Sequence, residues 1–330
     1  MTTGMTRRSL MAVALAGATA LGALSTAMPV RAQSGDIVYL TPGLDLPFWR
    51  YLARGVEAAA TEAGYGFQAL DSANDAQTQL QNAQDAIARG VAGIVISPTD
   101  SSTAPSVLTL AENAGIPVVI ADIGTNSGTY VSFIISDNYD GAHGTGEALA
   151  EALKEKGWED GTVGIVAISQ ARLNGQARTK GFKDALSEAG ITGDAGLQQM
   201  QSYTADETFR FTQDMLTANP DMRGMFVQTD QPAIGALRAI KAARRDGEVL
   251  VAAFDGIPEF VPLLQSGELV ASGMQQPYLM GETSGQALID HLAGEEVEEE
   301  ILVPIVVVTS TNIEEILPTI RQTVFAGEVD

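Results

Sequence analysis

Gly93-Ile-Val-Ile-Ser-Pro-Thr-Asp100 decides the fold, because the chain repeats it at Gly224-Met-Phe-Val-Gln-Thr-Asp230. Each stretch reads as a short apolar strand that runs into polar turn residues, with a helical segment after it. Each then leads to an apolar strand ending in a carboxylate, Val118-Val-Ile-Ala-Asp122 in the first case and Val251-Ala-Ala-Phe-Asp255 in the second. The opening glycine precedes the closing aspartate by 29 residues in one copy (93 to 122) and 31 in the other (224 to 255). Upstream, a helix-like segment ends in Glu-Ala-Gly at Glu62-Ala63-Gly64 and again at Glu188-Ala189-Gly190. Two similar βαβ halves imply two lobes with a cleft between them, a geometry suited to gripping a small molecule from both sides.

Working outward, strands and helices alternate from the start of this region, which argues for α/β lobes with parallel sheets. The first half reads as strand Asp36–Thr41, a helix from Pro47, strand Phe67–Leu70, a helix carrying Leu80, Ala83 and Ile87, then strands at 93–96 and 117–121. Proline suits the first turn of a helix, and Trp49, Leu52, Val56 and Ala59 or Ala60 fall on one helical face. The second half repeats the plan: strand Val163–Ile168, helix 174–189, strand 197–202, helix 206–218, strand 224–228, helix 232–243 and strand 249–254. Phe133–Asn138 and the short strand near Ala271–Gln275 are expected to cross between lobes, with Pro304–Thr309 as a third crossing.

Composition narrows the function. The 330 residues suffice for two ordinary domains, and 45% hydrophobic with 18% charged residues describes a globular chain. A net charge of −22 argues against nucleic acid and offers nothing to an anionic membrane surface. Residues 1–32 have the layout of an export signal: Arg7-Arg8, an Ala-rich apolar run from Met11 to Leu24, and Val30-Arg31-Ala32 at a plausible cleavage point. The paired arginines fit a twin-arginine signal, and a general secretory signal is equally compatible. Its removal takes away three arginines and no acid, leaving the remainder more acidic still. With no cysteine there is no disulfide, thiolate metal site or lipid-anchored Cys. The expected location is the periplasm, with the signal peptide removed.

In open α/β sheets ligands bind beyond the carboxyl ends of strands. The polar and aromatic residues there are Phe48, Trp49, Ser97, Thr99, Asp100 and Asp122, then Arg172, Asn174, Arg178, Tyr203, Thr229, Asp230, Asp255 and Gln275. Carboxylates, guanidinium groups and amides can each meet vicinal hydroxyls in forked fashion. Flat rings can cover the C–H face of a sugar while excluding water. Duller roles stand beside these. Asp122, Asp230 and Asp255 are equally suited to capping the helices that follow; Phe48 and Trp49 to core packing; Arg178 to a solvated helix face; Gln275 to holding a hinge.

Enzyme signals are weak. The two histidines, His143 and His291, have no partner at ligand spacing, Gly141–Gly146 lacks the spacing of a phosphate loop, and no nucleophile elbow occurs. No catalytic residue, metal or cofactor is expected. The acidic run Glu295–Glu300 reads as a solvated loop.

Over essentially all of the chain after residue 32, the sequence resembles the periplasmic sugar-binding proteins of ABC importers, of the ribose-binding type. The resemblance rests on Pro47-Phe48-Trp49, Ile96–Asp100, Ile116–Asp122, Asp137-Asn138-Tyr139, Arg178–Phe182, Thr217–Asp221, Phe254-Asp255-Gly256 and Gln275, in the family's order and spacing. It implies a type I periplasmic binding protein fold: two similar doubly wound parallel-sheet lobes joined by a three-segment hinge. The expected lobes are residues 33–137 with 277–305, and 138–276 with 306–330. It also implies that Phe48 and Trp49 stack on the sugar, that Asp122, Arg178, Asp255 and Gln275 bind hydroxyls, and that Tyr203 lines the pocket. This chain departs from the family at Ile123, where an arginine is usual, and at Leu46, Ser97 and Thr229, where asparagines are usual. Ribose is therefore disfavoured relative to another monosaccharide, a polyol or a less polar ligand. The expected protein is a monomer that closes on a small neutral sugar or polyol and passes it to an inner-membrane ABC permease. The alternative is a periplasmic sensor feeding a membrane receptor or histidine kinase, with a sugar or signalling molecule as ligand. A transcription regulator and an exported enzyme are disfavoured.

Overall fold

The computed structural model describes residues 35–328; the export-signal reading of residues 1–32 lies outside the described residues. Along the first half run β1 (Asp36–Thr41), α1 (Pro47–Glu62), β2 (Gly66–Asp71), α2 (Ala76–Ala88), β3 (Gly93–Ile96), α3 (Ala104–Ala114), β4 (Val118–Ala121) and β5 (Ser132–Ile135). Next come α4 (Asn138–Glu155), β6 (Thr162–Ala167), α5 (Leu173–Glu188), β7 (Gly193–Gln199), α6 (Ala205–Ala218), β8 (Met222–Val227), α7 (Gln231–Ala242), β9 (Leu250–Phe254), α8 (Phe260–Ser266) and β10 (Ala271–Met274). The chain closes with α9 (Pro277–Ala293), β11 (Glu300–Leu302), β12 (Val306–Thr309) and α10 (Ile313–Thr323).

These strands make two six-stranded sheets, ordered β11-β5-β4-β3-β1-β2 and β12-β10-β9-β8-β6-β7. Every pairing in the first sheet is parallel. In the second only β12, against β10, is antiparallel. The inner strands β3, β4 and β9 are buried along their whole length, as strands covered by helices on both faces must be. The two sheets are the two α/β lobes implied by the repeated sequence.

The chain passes between the sheets three times: from β5 into α4, from β10 into α9, and from β11 into β12. The expected crossing at Phe133–Asn138 is part strand and part helix, since β5 ends at Ile135 and α4 begins at Asn138. One strand is displaced from its sequence reading. The expected 197–202 strand runs instead over Gly193–Gln199. It is the edge of its sheet, alternates exposed and half-buried residues, and pairs only with β6, through an irregular register. Gly193, Asp194 and Gly196 are poor strand formers, so the pairing with β6, not local propensity, sets this boundary.

The helices lie close on the sheets. α1 and α9 cross at glycines, where a side chain on Gly55 would strike the Tyr278 carbonyl and one on Gly281 the Leu52 carbonyl. α4 and α5 form the matching pair in the second lobe, where Gly181 sits against the Tyr139 carbonyl. Both pairs place the helix starts, with Phe48, Trp49, Asn138, Asn174 and Arg178, at the carboxyl ends of the strands.

Candidate functional site

Between the sheets, a narrow, nearly filled cleft is lined by both lobes. The structure brings together Phe48, Trp49, Asp122, Arg172, Asn174, Arg178, Tyr203, Thr229, Asp255 and Gln275 from the strand-end residues, and adds Leu46 and Ile168. Ser97, Thr99, Asp100 and Asp230 do not line it.

The apolar wall comes from the strand β1 exit and from β6. Leu46 occupies the N-cap position of α1 and forms no side-chain cap; Phe48 and Trp49 follow in the first turn. Their rings meet edge to face at 4.7 Å and 84°, an arrangement favoured by aromatic quadrupoles. Ile168 enters one residue past β6. Tyr203 takes a left-handed φ of +54° before α6, and its hydroxyl accepts a hydrogen bond from the Ser169 amide at 3.0 Å.

The polar wall is one connected network around two aspartates. Asp122 follows β4 and Asp255 follows β9, both in the left-handed region at φ +64° and +61°. Neither caps a helix: α3 precedes Asp122, and α8 starts five residues after Asp255. Two non-glycine residues held in a sparsely populated backbone region at matching strand ends mark a site.

Asp255 is saturated. Its Oδ2 accepts from Arg178 Nη1 at 3.1 Å and from Thr229 Oγ1 at 3.3 Å. Its Oδ1 accepts from Gln275 Nε2 at 3.0 Å and, more distantly, from Arg178 Nη2 at 3.5 Å. Arg178 also donates through Nε to Asn138 Oδ1 at 2.8 Å and through Nη1 to the Gln228 carbonyl at 2.7 Å. Its guanidinium stacks 4.0 Å from the Phe254 ring. Asn138 and Gln275 stand at two of the three crossings, so this network ties the cavity to the connections between lobes.

Asp122 is only half partnered. Its Oδ2 accepts from Asn174 Nδ2, from the opposite lobe, at 3.0 Å. Its Oδ1 and the Oε1 of Gln275 are buried acceptors without a hydrogen-bond partner. Burial pushes the Asp122 carboxyl up to about 6, against the pull of the Arg178 guanidinium and with a further push from Asp255. Buried acceptors of this kind are costly unless something donates to them.

The remaining residues have other work. Asp230 caps α7, its Oδ1 accepting from the Gln231 amide at 2.6 Å, while its Oδ2 is a buried acceptor without a partner outside the cleft lining. Burial and the charge of Asp255 push its carboxyl up to about 7. The Ser97 hydroxyl pairs with the Tyr39 hydroxyl at 2.9 Å inside the first lobe. Thr99 lends its carbonyl to Arg172, and Asp100 holds the turn into α3 by accepting from the Ser102 and Thr103 amides. Ile123 is fully buried but is not among the cleft residues, so the departure there does not face the cleft, whereas the one at Leu46 does. Of the two added residues, Leu46 is the α1 N-cap position already noted as a departure from the family, and Ile168 reads as ordinary strand core and carries no signal.

Comparison with known proteins agrees with this architecture. The model of a periplasmic binding protein domain matches residues 37–296. The ribose import binding protein of Haemophilus influenzae is 33% identical over 287 residues, covering 87% of this chain and 96% of its own. The D-apiose import binding protein of Paraburkholderia graminis is 33% identical over 264 residues, covering 80% and 82%. Among solved structures, a carbohydrate transporter solute-binding protein from Agrobacterium radiobacter, in complex with D-arabinose, superposes with a TM-score of 0.82 at 25% identity. It covers 88% of this chain and 98% of its own.

Proposed function

This chain belongs to the periplasmic binding protein family, and from that premise we propose that it captures a small neutral sugar or polyol between its lobes and delivers it to an ABC permease. The observation that carries the ligand class is the pair of buried, unpartnered acceptors, Asp122 Oδ1 and Gln275 Oε1, in a cavity walled by Phe48 and Trp49. Acceptors call for donors, and hydroxyl groups supply them; the rings cover the C–H face. Two guanidinium groups, Arg172 and Arg178, stand against two carboxylates, Asp122 and Asp255. That balance favours an uncharged ligand. The names of similar proteins (ribose and D-apiose import, a D-arabinose complex) support a pentose-sized guest.

Closure supplies the mechanism. The lobes turn about the crossings near residues 136–137, 275–276 and 303–305, and the ligand's contacts with both lobes stabilise the closed form. Only that differential affinity can shift the population. The ligand leaves chemically unchanged, and the closed protein is what the permease receives in the periplasm, after export directed by residues 1–32.

A thermal-shift panel of D-ribose, D-apiose, D-arabinose, other monosaccharides and short polyols tests this reading. A ligand at about 100 times its dissociation constant adds roughly 2.7 kcal/mol of stability. One or a few members of the panel should do so and their epimers should not. A flat panel, or equal shifts from every member, overturns the proposal.

A further inference from the structure

At the mouth of the cleft, residues 171–173 of the second lobe touch the first lobe directly, apart from the contact of Glu328 with Tyr51 and Arg54 of α1. Arg172 donates through Nε to the Thr99 carbonyl at 2.9 Å and through Nη2 to Asn74 Oδ1 at 2.7 Å. The Leu173 amide donates to Ser101 Oγ at 3.2 Å, and the Ser101 amide to the Ala171 carbonyl at 3.4 Å. None of the first-lobe partners, Asn74, Thr99 and Ser101, lines the cavity. We propose that this contact is a ligand-independent latch: it sets how much of the protein is closed before a ligand arrives, and so tunes affinity for all ligands alike. It rests on the closure mechanism proposed above.

Three features point the same way. Arg172 is buried, and its guanidinium lies 5.2 Å from the Tyr203 ring, so the side chain is positioned within its own lobe. Asn74 is presented by two consecutive non-glycine residues in the left-handed region, Ala73 at φ +48° and Asn74 at +56°. That turn is held by the Ala73 amide donating to Asp71 Oδ1 at 2.7 Å and the Asn74 amide to the Pro42 carbonyl at 2.6 Å. Strain kept in a turn that serves a contact across a cleft is the pattern expected of a working position. Finally, these hydrogen bonds exist only when the lobes are together, so they favour closure whatever fills the cavity. Apparent affinity scales with the competent fraction. Weakening the latch therefore lowers every affinity by one factor and leaves ratios between ligands unchanged. Arg172, Asn74 and Ser101 act here as positioning residues.

The test uses the processed chain with one fluorophore on each lobe, read as a single-molecule distance distribution without ligand. Asn74→Gly, which keeps the left-handed backbone, and Ser101→Ala should each move population from short to long distance, while Asn74→Asp, which offers Arg172 a carboxylate, should move it back. Identical distributions in all four proteins overturn the latch, and this arm needs no sugar, so it fails independently of the proposed ligand class. With D-ribose and D-arabinose as probes, Asn74→Gly should weaken binding about 10- to 100-fold, the range for losing a hydrogen bond to a charged donor, and equally for both. A changed preference between the two sugars would place Asn74 in ligand recognition and overturn the proposal. Asn74→Asp tightening both equally would support it; a loss of affinity in Asn74→Asp would count against it.

Discussion

Asp122 and Asp255 end equivalent strands of the two lobes, in the same left-handed backbone conformation, yet they live in opposite electrostatic worlds. Asp255 accepts from Arg178, Thr229 and Gln275, and none of its oxygens lacks a partner. Asp122 has one amide partner and one bare oxygen, and burial lifts its carboxyl to about 6. A duplicated backbone has thus been put to two uses. The second-lobe aspartate is a structural anchor that fixes Arg178 and Gln275, and the first-lobe aspartate is left hungry for a donor.

The largest effect should come from breaking the anchor. Arg178→Ala strands the Asp255 carboxylate in a buried site, and loss of one partner of a buried pair costs about 3–5 kcal/mol. Urea unfolding should register that loss, and the Arg178→Ala, Asp255→Asn double variant should recover part of it. A neutral Arg178→Ala would dissolve the distinction between the two aspartates. Asp122→Asn should behave inversely. Its stability at pH 7 should hold or rise, because a desolvated charge is removed, while calorimetric affinity for the ligand falls about 10- to 100-fold, the value of a charge-assisted hydrogen bond.

A pH series sharpens the same contrast. The folded Asp122 holds its proton to about pH 6, above its ordinary value near 3.8. Across that window the folded protein binds more protons than the unfolded chain. Stability contributed by this group is therefore present below the window and lost as pH rises through 6, at up to about 1.4 kcal/mol per pH unit. Asp230, lifted to about 7, extends the fall upward. Melting temperature of the ligand-free protein should increase from pH 7 to pH 5, and the increase should shrink in Asp122→Asn. Ligand binding should run the other way and weaken below pH 6, because a protonated Asp122 is a poorer acceptor.

Much of this was legible in the sequence. The repeated apolar strands, Pro47 at the head of α1 and the two closing aspartates define both sheets and most of the cavity, because local period and strand-end position are properties of neighbouring residues. What separates Asp122 from Asp255 was not legible. Their partners, Asn174 and Arg178, lie 52 and 77 residues away, and two identical local patterns gave both the same role. Asp230 reads as a third hydroxyl binder, but Gln231 follows it directly into a helix and its Oδ1 turns to that amide, leaving Oδ2 buried and without a partner outside the cleft lining. The edge strand β7 was displaced for a related reason: pairing with β6 overrides a stretch of glycine and aspartate that would not choose to be a strand.

The smallest expected effect contrasts the two hydroxyls beyond the ends of corresponding inner strands of the two lobes, Ser97 after β3 and Thr229 after β8. Thr229 donates to Asp255 and lines the cavity; Ser97 pairs with Tyr39 behind it. Ser97→Ala should leave ligand affinity within a factor of about two, yet cost roughly 1 kcal/mol of stability, because the fully buried Tyr39 hydroxyl is left without its partner. Adding Tyr39→Phe should restore most of that loss, since removing both halves of a buried pair strands neither. Thr229→Val should lower affinity several-fold by freeing one side of Asp255. If Ser97→Ala instead weakened binding as much as Thr229→Val, the first-lobe wall would extend past Asp122 to the end of β3, and the division of labour between the lobes would be narrower than the hydrogen bonds imply.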